Sequence, residues 1–74
     1  MNTEQNAPME HHVLLAAYLR EQIERGEIRS RLPSITMLTE QTGFTVGTVR
    51  RALQGLLREG VVQSVPGRGI LVIR

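Results

Sequence analysis

The residues best suited to chemistry lie in the second half of the chain. Thr45, Val46, Gly47 and Thr48 open an amphipathic stretch, and Arg50, Arg51 and Gln54 follow one and two turns later. A helix beginning here presents free N–H groups and partial positive charge, so Thr45 to Thr48 can dock a phosphate. An arginine on the same helix can donate two parallel hydrogen bonds to guanine O6 and N7, worth about 1–3 kcal/mol of discrimination. Val46 suits either a thymine methyl or the edge of the core. Gly47 either lets a backbone approach closely or is simply a substitution tolerated in an exposed turn. Arg50 and Arg51 can also be read as surface charges paired with Glu40 or Glu59, but such pairs contribute only ~0–1 kcal/mol. A second cation, Arg68, sits between Gly67 and Gly69. There it suits a narrow minor groove, or else solvent. Arg58 lies about two turns beyond Arg51 and reads as solvated or backbone-contacting.

The charge is unevenly placed. All nine basic residues are Arg and all seven acidic ones are Glu. Residues 1–27 hold five Glu against two Arg, a net −3, and residues 28–74 hold seven Arg against two Glu, a net +5. A basic C-terminal portion points to a polyanionic partner.

Other chemistries find little support. Seventy-four residues make one small domain, with little chain to spare for a substrate cavity, so an enzyme is not expected. The absence of cysteine removes disulfides, thiolate metal sites and cysteine nucleophiles. His11 and His12 are adjacent, do not share a helical face and have no evident third ligand, so no metal is expected. Gly67-Arg68-Gly69 precedes a strand rather than a helix, unlike a nucleotide-binding loop. No cofactor is expected. With no apolar run long enough to span a membrane and no signal-like N-terminus, the expected setting is the cytoplasm.

The elements that must position these residues follow from periodicity. Residues 1–8 read as a disordered lead and 9–74 as one domain. Leu15, Leu19 and Ile23, with Ala16, mark a helix over 9–25, with Pro8 suited to its start and Gly26 to its end. Leu14 and Tyr18 form an offset pair that either widens the core face or meets a partner. Residues 27–33 form a connection with Ile28 and Leu32 pointing inward. Ser34 caps a short helix over 35–42, Gly43 ends it, and Phe44 plugs the gap before the next helix. Thr45 caps a helix reaching Glu59, on which Val49, Ala52, Leu53 and Leu56 span an arc of about 100°. Gly47, Arg51, Gln54 and Arg58 lie opposite, with Arg50 at the margin. Two β-branched runs, 61–65 and 70–73, flank Pro66-Gly67-Arg68-Gly69 and predict a hairpin. The fold class is mostly α with a small β-hairpin: a winged helix-turn-helix of three helices plus a C-terminal wing.

In that order and spacing, Leu32-Pro33-Ser34, Leu38 with Glu40, Gly43, Thr48-Val49-Arg50, Ala52-Leu53, Leu56, Glu59-Gly60, Val62 and Gly67-Arg68-Gly69 resemble the N-terminal DNA-binding domain of GntR-family transcription regulators. The resemblance covers about residues 11–73. It implies double-stranded DNA binding, with helix 45–59 in the major groove and the wing, 65–70, near the minor groove. It implies contact roles for Thr45, Thr48, Arg50, Gly67 and Arg68. Ser34 falls in the matched opening of the second helix. The chain departs from the family pattern in four places. Val46 stands where an Arg reads a base, Gly47 where Thr is common, Thr36 where an Arg is often found, and Arg51 where Glu is common. The usual operator sequence is therefore not expected. A homodimer on a palindromic site fits the reading, and no small-molecule effector is expected within this length. A protein-interaction winged helix, motivated by Val46, Thr36 and the Leu14/Tyr18 pair, and an architectural DNA binder stand as alternatives.

Overall fold

The computed structural model describes residues 10–73. In chain order the elements are α1 (His11–Glu24), α2 (Ile35–Thr42), α3 (Val46–Glu59), β1 (Val62–Val65) and β2 (Gly69–Val72). This is the expected three-helix domain with a C-terminal hairpin. The expected helix start at Met9, with Pro8, and the expected disordered lead lie outside the described residues.

Two of the helix starts are built by hydroxyl caps. The Met37 N–H donates to Ser34 Oγ at 3.1 Å, and the Thr48 N–H donates to Thr45 Oγ1 at 3.2 Å. Each satisfies one of the N–H groups that a helix start leaves without a partner. The turn between α2 and α3 is tight. Gly43 takes a left-handed conformation at φ 78°, which a side chain rarely adopts. The Phe44 N–H then donates to Thr42 Oγ1 at 3.0 Å, fixing the exit direction.

The core is wholly aliphatic. Leu15, Ala16, Leu19 and Ile23 of α1 meet Val49, Ala52, Leu53 and Leu56 of α3, with Leu32, Leu38 and Val62 closing the ends. The spacing predicted each of these helical positions. Phe44 is partly buried against the core, and its ring stacks on His11 at a centroid distance of 4.7 Å.

The structure corrects two readings. Leu14 and Tyr18 do not widen the core face; they are 46% and 56% exposed. Helix α3 packs on one flank of α1, and on another Leu14 and Tyr18 line an open groove with Leu38, Gln41, Thr42 and Phe44. The connection over 27–33 is also more than a loop. The Val72 N–H donates to Ser30 O at 2.7 Å, and the Leu32 N–H donates to Ile70 O at 2.9 Å. Residues 30–32 thus line the outer side of β2, with Arg31 opposite Leu71, while β1 pairs antiparallel on its inner side. Among the described residues no helix is long and apolar enough to cross a membrane.

Candidate nucleic-acid interface

Helix α3 carries the site because its sequence splits cleanly between two faces. The core positions bury one side. Val46, Gly47, Arg50 and Gln54 fall within an arc of about 100° on a 3.6-residue wheel, turned away from the core, and all four are exposed. At 47% exposure Val46 lies outside the core, which removes its reading as a core-edge residue. Thr45 and Thr48 sit at the helix start, where the Thr45 hydroxyl donates to the Thr48 hydroxyl at 3.1 Å. Thr45, Gly47, Thr48 and Arg51 line one shallow concavity together with Glu10, His11 and His12. The concavity is polar and open, with the positive end of α3 at its floor.

Arg51 and Gln54 lean toward α1. They line a furrow with His12, Arg20, Arg58 and Glu59, so Arg51 stands at the flank of the helix rather than at its outermost ridge. The reading of Arg50 and Arg51 as partners of Glu40 or Glu59 does not hold. Glu59 is taken by Arg20 of α1, whose Nε–H donates to Glu59 Oε1 at 2.8 Å, with a second bond between Nη2 and Oε2. The Arg20 hydrogen bond holds the Glu59 carboxyl below its ordinary range, and Glu59 in turn raises Arg20. Among the described residues neither Arg50, Arg51, Arg58 nor Arg68 meets a carboxylate within ion-pair distance. The histidines have other occupations: His11 stacks on Phe44, and His12 Nδ1 lies 3.3 Å from Glu10. Among the described residues no group of three or more His, Asp or Glu is placed to hold a metal ion.

The wing forms the other half of the surface. Gly67 at φ 79° and Gly69 at φ 94° let the hairpin turn tightly, and the Arg68 N–H donates to Val65 O at 2.9 Å across the tip. Ser34 and Thr36 at the start of α2 share a groove of about 710 Å³ with Arg68. Sequence reasoning missed one member of this groove, Arg31, which the edge pairing of residues 30–32 brings beside Arg68. The signal was present. Pro33 biases the preceding residue to an extended conformation, and an inward Leu32 turns Arg31 to the other side.

A recognition helix set into a tight turn, flanked by a cationic hairpin tip, defines the winged helix-turn-helix of DNA-binding regulators. The family model of bacterial regulatory proteins of the gntR family matches residues 14–72, and the chain belongs to that family. It is 35% identical over 74 residues to the HTH-type transcriptional repressor NagR of Bacillus subtilis, covering 97% of this chain and 30% of NagR. It is 37% identical over 60 residues to the mannosyl-D-glycerate transport/metabolism system repressor MngR of Escherichia coli, covering 78% of this chain and 25% of MngR. The chain therefore spans less than a third of these curated relatives. Among solved structures, the DNA-binding domain of AraR in complex with operator ORR3 superposes with a TM-score of 0.83 at 25% identity, over 89% of this chain and 82% of that one.

Proposed function

We propose that this winged helix reads operator DNA in transcription control, with α3 in the major groove and the wing tip at the adjacent minor groove. The observation that carries the reading is the set of exposed arginines on α3 and the wing that no carboxylate of the described residues neutralises. The operator complex of the AraR domain supports it. Arg50 is the guanine reader. Gln54 one turn on offers a bidentate amide suited to adenine, and Val46 offers an apolar contact to a thymine methyl. Thr45, Thr48 and Arg51 hold phosphates at the start of α3, and Ser34 and Thr36 do so at the start of α2. Gly47 admits the backbone, and Gly67 shapes the tip that delivers Arg68 to the minor groove. Two copies on a palindromic site supply the affinity that one small module lacks, and any effector is sensed outside the winged helix. NagR and MngR are named repressors, which favours repression by operator occupancy. The work is done at the chromosome, hence in the bacterial cytoplasm.

A randomised-duplex selection with the purified chain, followed by fluorescence anisotropy on recovered and scrambled duplexes, tests the reading. An enriched half-site whose advantage falls about 5- to 150-fold in Arg50→Ala is the expected result. Equal, weak binding to every duplex would refute sequence readout. The exposed Leu14 and Tyr18 then favour a second reading, a protein-docking winged helix.

A further inference from the structure

Arg31 and Arg68 are far apart in sequence and meet only because residues 30–32 pair with β2. Leu32 is 4% exposed and faces the core, so the alternation of an extended chain turns Arg31 to the outer side. Its aliphatic stem lies over Gly69, with Cδ 3.5 Å from where a side chain on that glycine would begin. Its guanidinium makes a long hydrogen bond, 3.4 Å, from Nη1 to the carbonyl oxygen of Arg68. A guanidinium carries five N–H donors, and this contact uses one. Among the described residues neither arginine meets a carboxylate within ion-pair distance. Two like charges are thus held at one hairpin tip with no carboxylate of the described residues paired to either. Across the groove stand the hydroxyls of Ser34 and Thr36. Ser34 Oγ already accepts from the Met37 N–H, so its own hydrogen remains to be donated. Most of the lining is apolar, from Leu32, Pro33, Ile35 and Ile70 among others, but its side-chain polar groups are all donors or positive charge, which is complementary to the acceptor-only oxygens of a phosphodiester.

The geometry points to Arg31 as a second wing arginine, which holds the tip in place through Gly69 and the Arg68 carbonyl and itself contacts a backbone phosphate of bound DNA. The assignment rests on the DNA-binding reading above and adds to it a residue outside both the recognition helix and the hairpin. Three variants separate its two parts. Arg31→Met keeps an unbranched apolar stem over Gly69 and removes the charge. Arg31→Lys keeps the charge. Arg31→Ala removes both.

The probe is a fluorescently labelled duplex recovered by selection, with its scrambled permutation, titrated across a salt series. Each phosphate neutralised contributes about 0.9 to the slope of log affinity against log salt. The expected result is a slope about 0.9 shallower in Arg31→Met, with affinity about tenfold lower, the size of one charged hydrogen bond. Arg31→Lys recovers the slope, and Arg31→Ala binds weakest. A residue that merely packs would leave the slope alone. Arg31→Met with wild-type slope overturns the phosphate contact, whatever its affinity. Wild-type protein that binds no duplex overturns the DNA reading itself, and this inference with it.

Discussion

Gly47 is the position where stability and binding pull in opposite directions. It lies in the first turn of α3 with a helical backbone and no positive φ. A Cβ added there would meet nothing nearer than Thr45 Oγ1 at 3.9 Å, an ordinary contact. The fold therefore does not require glycine at this site. In a helix glycine costs about 1 kcal/mol relative to alanine, somewhat less near the terminus, so Gly47→Ala stabilises the domain by about 0.5–1 kcal/mol. For a domain of this size that raises the melting temperature by about 2–8 °C. If the missing side chain is what lets DNA come close to the start of α3, the added methyl weakens duplex binding in the same protein. The assay is a thermal melt by far-ultraviolet circular dichroism beside anisotropy on the selected duplex. A lower melting temperature would refute the stability argument. A higher melting temperature with unchanged binding would refute the close approach.

Other substitutions probe the frame. Leu56 is fully buried, and Leu56→Ala should cost about 2–5 kcal/mol, enough to leave much of so small a domain unfolded; urea denaturation measures it. Thr45→Ala removes the α3 cap and should cost about 0.5–2 kcal/mol, and loss of duplex affinity beyond the melting effect would mark the hydroxyl as a contact. The Arg20–Glu59 pair is more than a third exposed on average, so it contributes no more than ~1 kcal/mol. Because the Glu59 carboxyl is held below its ordinary range, this contribution is complete above the usual glutamate value and fades as the pH falls through the lowered one. Glu59→Gln should accordingly melt lower than wild type at pH 7, with the two curves converging in acid.

Much of this was legible beforehand because α3 and the hairpin speak in strong local signals: a hydroxyl cap, an aliphatic stripe, a terminal glycine, and two β-branched runs around a Pro-Gly turn. What escaped depends on partners distant in the chain. Pro33 marks Leu32 as extended, but the strand partner of residues 30–32 lies some forty residues on, so the sequence alone places Arg31 in a connection rather than beside the wing. The Arg20–Glu59 pair joins two helices whose mutual rotation only packing sets. Leu14 and Tyr18 fit the wheel of a wider apolar face, yet they line an open groove against the end of α2 and Phe44 and stay about half exposed. The assignment of Arg51 to the α1 side likewise needed the crossing of α1 and α3.

The exposure of Tyr18 has a spectroscopic consequence. The chain has one tyrosine and no tryptophan, and that tyrosine projects from the outer flank of α1 with more than half its surface in water. Its emission in the folded protein should therefore resemble that of a solvated side chain, and denaturation should change it little. The same property makes it a clean optical probe at a single place. An apolar partner that covered Tyr18 on the outer flank of α1 would transfer its ring from water to an apolar contact, and the change in emission would report docking there without a label.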